Sequence, residues 1–189
     1  MTWLRIERFD VEGVVRLTPR VFTDARGTFS ETYSLRTFAD AIGQVAFVQD
    51  NVSRSAKRGT VRGLHFQSPP VAQAKLVRVV RGAIFDVAVD VREGSSTFGR
   101  HVTTTLDAAS GAQLFVPRGF LHGFCTLEDD TEVFYKVDAP YSPAHDGAVC
   151  WDDPELAIAW PICIDEAILS EKDAIARPLS EVIASGGIF

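Results

Sequence analysis

The segment Arg62-Gly63-Leu64-His65-Phe66-Gln67, with Lys75 ten positions beyond the histidine, brings a guanidinium, an imidazole and an ammonium into one short stretch. Histidine titrates near neutrality and serves as a general base with little tuning. His65 is therefore either such a base or a buried ring bonded to backbone. Lys75 opens an apolar run, where strands usually exclude ammonium groups. It either faces an interior and needs an anion, for which an enolate oxygen would serve, or it ends a strand in solvent. A base and cations on adjacent strands suit proton chemistry on a small anionic substrate.

Other residues could join this chemistry. Tyr135, within Glu132-Val133-Phe134-Tyr135-Lys136-Val137, is either a half-buried strand tyrosine or a phenol able to deliver a proton to carbon. His122 lies in Pro117-Arg118-Gly119-Phe120-Leu121-His122-Gly123-Phe124, a turn running into a strand that could aim it at the cavity of His65. Two histidines raise the idea of a metal. However, the position two after His65 is Gln67, a poor ligand, so no three-ligand set is spelled out and no metal is expected. Asp173, in Ser170-Glu171-Lys172-Asp173, sits either in a solvated turn or against the far nitrogen of His65, holding its tautomer. Asp86 and Asp90 are rival partners. Arg26, Phe29 and Glu31, and Gln49 with Asn51, combine groups suited to phosphate and base recognition.

These side chains must be carried on strands. Short runs rich in β-branched and aromatic residues recur at 13–17, 21–22, 28–33, 46–49, 75–80, 84–91, 101–106, 113–116, 123–127 and 132–137, parted by Gly, Pro, Asp or Ser. Phe85, Val87, Val89 and Val91 alternate with Asp86, Ala88 and Asp90. Many short strands at such spacing predict a barrel or sandwich, the jelly roll included. Helices are expected only at 34–43, with a capping serine and closing glycine, and at 180–184. Between Pro140 and Pro178 periodicity fades into turns that would wrap the barrel.

The 189 residues, 46% apolar with 13 phenylalanines, suit one domain over 1–189 with a substantial core. No apolar run reaches membrane-spanning length, and the first residues lack the layout of a secretory signal. Cys125, Cys150 and Cys163 are too few and too scattered for a disulfide framework, which points to a cytoplasmic location. A net charge of −6 opposes nucleic-acid binding, so a phosphate site must be a local cluster of cations. No Gly-rich dinucleotide loop is present, so neither nicotinamide nor flavin is expected.

From about Gly13 to Asp173 the chain resembles the dTDP-4-dehydrorhamnose 3,5-epimerase family. The matching pieces are 24–31, 47–51, 62–67, 73–78, 86–92, 117–124 and 169–173, with small departures at Val52, Val61 and Leu121. The resemblance implies an all-β, cupin-type jelly-roll barrel with a few short peripheral helices, dimeric and without metal or other cofactor. It implies His65 as general base oriented by Asp173, Tyr135 as general acid, and Lys75 as the group that stabilises an enolate. Arg62, Lys172 and His122 would surround the diphosphate and sugar of a dTDP-linked 4-keto-6-deoxy sugar, with Gln49 and Asn51 beside them. Arg26, Phe29 and Glu31 would reach the nucleotide of a neighbouring subunit in a homodimer. The implied reaction inverts carbons 3 and 5; inversion at one carbon alone, and more remotely a metal-dependent oxygenase, are the alternatives.

Overall fold

A computed structural model of the chain describes residues 4–186 and 188. Numbered along the chain, the strands are β1 (Leu4–Arg8), β2 (Val15–Pro19), β3 (Phe22–Asp24), β4 (Gly27–Phe29), β5 (Gln49–Ser55), β6 (Val61–Gln67) and β7 (Lys75–Arg81). They continue with β8 (Ala83–Asp90), β9 (His101–Asp107), β10 (Gln113–Val116), β11 (Phe120–Thr126), β12 (Thr131–Val137) and β13 (Asp146–Ala148). The helices are short: α1 (Leu35–Ala41), α2 (Glu171–Ala174), α3 (Leu179–Ala184) and a 3₁₀ turn at Ile164–Glu166.

One sheet has the order β1-β2-β10-β7-β12-β5, the other β13-β6-β11-β8-β9, and β3-β4 is a separate hairpin. The pairings within them are antiparallel. The two larger sheets face each other as a cupin-type jelly roll. Val77, Val79, Leu114 and Val133 from the first meet Ile84, Ala88, Leu106 and Phe124 from the second.

The alternation read in β8 serves two cores at once. Ile84 and Ala88 point between the sheets, whereas Val87, Val89 and Val91 point outward. That outer face is not solvated. Leu156, Leu179 and Val182 of the C-terminal wrap cover it, and each such buried side chain stabilises by about 1.5–3 kcal/mol. The wrap expected between Pro140 and Pro178 therefore exists, and it is what brings residues 167–173 back to β6.

Some boundaries differ from the sequence reading. A strand expected at 46–49 instead runs from Gln49 to Ser55. Its pattern is inverted for a core strand: Gln49, Asn51 and Ser53 are partly covered, while Val52 is 66% exposed. From this edge strand Val52, Ser53 and Arg54 line the cavity described below. The strand expected at 28–33 is instead Gly27–Phe29, exposed on the separate hairpin, and β11 begins at Phe120, which pairs with Asp90 of β8. Ser34 stands at the start of α1 but makes no side-chain cap; the helix is held instead by Phe38, edge-on to Phe47 and Phe115.

Candidate active site

A cavity of about 690 Å³ opens between the sheets, within the size range of small-molecule sites. His65 and Arg62 enter it from β6, and His122 from β11. Lys75 and Tyr135 enter from β7 and β12 of the opposite sheet. Lys172 and Asp173 close it from the returning C-terminal segment.

Strand register explains the convergence. His65 is paired directly with His122, and His122 with Ala88, so all three share the inner face. Arg62 is three residues from His65 and ought to face outward. The ladder slips here: β11 advances from His122 to Phe124 while β6 goes from His65 to Arg62. This one-residue bulge returns Arg62 to the inner face. Gly63 makes it possible, with φ +125° and a backbone so close to β11 that an added Cβ would sit 2.6 Å from the Gly123 Cα. On the other sheet Tyr135 is paired with Val77 and Lys75 with Val137, and both residues share the face of the buried valines.

The returning segment docks by a parallel bridge between Thr60 and Ile168. The Val61 amide donates to the Ile168 carbonyl at 3.0 Å, and the Ile168 amide to that of Gly59 at 2.9 Å. Five residues on, Asp173 is 3% exposed and its Oδ1 lies 2.5 Å from His65 Nε2. Burial opposes ionisation of this carboxyl, but His65, the Ser170 hydroxyl and the Gly63 amide together hold it below its usual range. An ionised Asp173 keeps the proton on Nε2 and leaves Nδ1 as the lone-pair nitrogen, an assignment made from the hydrogen bonding.

A second histidine–carboxylate pair lies beside the first. His122 Nε2 is 3.0 and 3.2 Å from the two oxygens of Asp86, which is fully buried. Asp86 therefore partners His122 rather than His65. Asp90, the other rival, is engaged elsewhere with Arg92, Ser95 and Thr97.

Lys75 differs from the other cations. Burial is the chief influence on it and lowers its pKa to about 8, with Asp146 and Asp86 pulling the other way and Lys172 adding to the fall. By contrast, Arg62 donates to Ser55 Oγ at 3.2 Å and to the Arg54 carbonyl at 3.1 Å, which turns the guanidinium across the cavity end. Tyr135 is pushed up by burial, so its phenol stays protonated at neutral pH.

Gln49 and Asn51 lie on the same face as Tyr135 and bond to one another at 2.8 Å. Arg26, Phe29 and Glu31 are not brought to this cavity. Arg26 folds onto Asp24 at 2.6 Å, and Phe29, 69% exposed, lines a separate groove on the β3–β4 hairpin. Sequence reasoning missed two residues next to Lys172. Asp146 accepts from Lys172 Nζ at 2.5 Å and from the Tyr141 hydroxyl at 3.1 Å. Tyr141, 56% exposed, is also anchored through its amide to Gln49 Oε1 at 3.1 Å. The signal available was slight: an aromatic after Pro140 in a segment without periodicity. Gln67 has a structural task, binding the carbonyls of Val71 and Pro140 and the amide of Ser142, and so setting that loop. Among the described residues, no group of three or more His, Cys, Asp or Glu side chains is placed to hold a metal ion.

Such a constellation, with imidazole, ammonium and phenol around one hollow, can take a proton from carbon, support the resulting oxyanion and return a proton. Comparison with known proteins agrees in extent and kind. A protein from Sinorhizobium fredii named dTDP-4-dehydrorhamnose 3,5-epimerase is 51% identical over 179 residues, covering 95% of this chain and 91% of its own. The crystal structure of an enzyme of that name from Bacillus anthracis, with TDP and PPi bound, superposes with a TM-score of 0.90 at 48% identity, over 93% of this chain and 99% of that one. A 3'-monoepimerase from Streptomyces bikiniensis in complex with dTDP-quinovose gives 0.90 at 36% identity, over 96% and 91%. The profile described as dTDP-4-dehydrorhamnose 3,5-epimerase matches residues 8–181, so the chain belongs to that family.

Proposed function

We propose that this chain inverts carbons 3 and 5 of a dTDP-linked 4-keto-6-deoxyhexose, in deoxysugar biosynthesis of the dTDP-L-rhamnose type. The observation that carries this is one cavity shared by an imidazole from one sheet and, from the other, a phenol and the partly covered Lys75 ammonium, whose pKa is lowered. Carbons 3 and 5 flank the ketone, so their hydrogens are the acidic ones. Nδ1 of His65 takes one such proton, and the electron pair of the C–H bond moves into the ring to form the enolate. Its oxygen lies against Lys75. Tyr135 then gives its phenolic proton to the opposite face of the carbon, and the ketone re-forms. Positioned proton transfer contributes about 10²–10⁴-fold, and stabilisation of the oxyanion at least as much. Only protons move, so no nicotinamide, flavin or metal enters the reaction.

The diphosphate is assigned to Arg62, Lys172 and His122, with Gln49 and Asn51 beside it. The exposed ring of Tyr141, held by two hydrogen bonds next to Lys172, offers a face for the nucleotide base. The TDP in the Bacillus anthracis structure supports a dTDP-linked substrate. The working molecule is read as one domain over 1–189, a cytoplasmic homodimer in which Arg26, Phe29 and Glu31 reach the partner's nucleotide. The three cysteines are free thiols, in keeping with that compartment. Among the described residues no helix is long and apolar enough to cross a membrane.

The test is incubation with dTDP-4-keto-6-deoxyglucose in deuterium oxide, read by NMR position by position. Deuterium should enter at both carbons and vanish from both in His65→Ala. Tyr135→Phe should still exchange but fail to invert; inversion at the wild-type rate would move the acid elsewhere. Exchange confined to carbon 3 would favour the second reading, a single-centre epimerase, for which the likeness to the Streptomyces bikiniensis enzyme speaks.

A further inference from the structure

Both oxygens of the Asp173 carboxylate are bound, and they face different partners. Oδ1 meets His65 Nε2 at 2.5 Å, while Oδ2 accepts a hydrogen bond from the Ser170 hydroxyl at 2.9 Å. The same Ser170 oxygen accepts from the Asp173 amide at 3.1 Å, as the residue that caps α2. One hydroxyl thus grips Asp173 twice, through its backbone and through its carboxylate. A cap needs only an acceptor; the donated bond is additional, and it fixes the rotation of the carboxylate that α2, four residues long, presents to His65.

We propose that Ser170 is a positioning residue for epimerisation, acting through Asp173 to hold the imidazole of His65 in its base-competent tautomer and orientation. This deepens the assignment of His65 as the base and rests on it. The chain of contacts runs from Ser170 to Asp173 to His65, and from there to the substrate carbon of the proposed reaction. A serine hydroxyl has a single proton; given to Oδ2, it leaves Oδ1 as the oxygen that receives the imidazole N–H. Without it only the Gly63 amide and the imidazole itself hold the carboxylate, and the orientation in which Oδ1 meets Nε2 is less firmly fixed. Burial at 3% exposure magnifies the effect, because an under-bonded carboxylate there has little water to turn to. The Ser170 hydroxyl also helps keep that carboxyl ionised, so its loss moves Asp173 towards protonation.

Three substitutions separate positioning from capping. Ser170→Thr retains donor and acceptor. Ser170→Asp retains an N-cap acceptor and removes the donor. Ser170→Ala removes both. Turnover of the keto sugar nucleotide should follow the donor: Thr near wild type, Ala and Asp lower in kcat by about tenfold or more with KM little changed. The acid limb of kcat/KM should move to higher pH in Ser170→Ala. The downfield proton of His65 Nε2, followed by NMR without substrate, should persist in wild type and Ser170→Thr and weaken in Ser170→Ala. An Asp variant as active as wild type would reduce Ser170 to a helix cap and overturn the proposal, as would an unchanged pH profile and Nε2 signal in the Ala variant. Should wild type keep the donor-dependent Nε2 signal but exchange no substrate protons, the assignment of the reaction fails while the geometry stands, and Ser170 is no longer a residue of epimerisation.

Discussion

At Lys75 the needs of stability and of the proposed reaction oppose each other. Free lysine titrates at 10.5 and this one at about 8, so folding disfavours its protonation. The penalty is fully present below about pH 8, amounts to about 3 kcal/mol, and disappears as pH rises towards the unfolded value. Lys75→Met should therefore raise the melting temperature while lowering kcat by about 10²–10³-fold, read by calorimetry and exchange NMR together. A parallel fall in stability would mean that the ammonium is satisfied by protein groups. The same pKa sets an expectation for the free enzyme: kcat/KM should decline on the alkaline side around pH 8 as the ammonium is lost, and Lys75→Arg should remove that limb at whatever activity it retains.

Elements rather than residues decide which groups meet. Counting alternate positions along β6 puts His65 and Arg62 on opposite faces, and the bulge at Gly63 puts them on the same one. Gly63→Ala forces a Cβ to within 2.8 Å of the His122 carbonyl and 2.6 Å of the Gly123 Cα, at a φ of +125° that alanine resists. Both strands carry a histidine of the site, so the expected result is a loss of about 2–3 kcal/mol in urea unfolding together with a collapse of kcat/KM. Retained activity would show that the ladder can yield without moving the two rings. The docked segment 167–173 is the other deciding element, since Asp173 reaches His65 only after the chain has crossed the outer face of β8.

For the whole molecule, the bulk charge of −6 and the site disagree in sign, and the resolution is local. Arg62, Lys75 and Lys172 meet in one cavity while the acidic residues lie mostly elsewhere on the surface. The β3–β4 hairpin, with Phe29 69% exposed, stands apart from that cavity. If it completes the site of a second copy, mixing inactive His65→Ala with a weakened Arg26→Ala, Phe29→Ala double variant should generate heterodimers with one intact site. Activity should then rise above the sum of the two alone, as measured by turnover after subunit exchange. No gain would confine the substrate to one chain.

Sequence by itself determined the local chemistry and much of the wall material: which residues titrate near neutrality, several of the strand runs though not β1, β6 or β13, and, through seven matching pieces, the family and its barrel. Alternation in β8 was legible because period-two patterns record which side meets apolar neighbours. Other features were decided only by tertiary structure. The Asp173–His65 contact spans 108 residues, and the choice of Asp86 for His122 depends on strand register rather than spacing. β5 lies mostly beyond the expected 46–49 because its partly covered positions are Gln49, Asn51 and Ser53 while Val52 is exposed, a pattern that local hydrophobicity cannot announce. Tyr141 and Asp146 escaped for a related reason: their partners, Gln49 and Lys172, come from remote parts of the chain and become neighbours only when the loops close over the barrel.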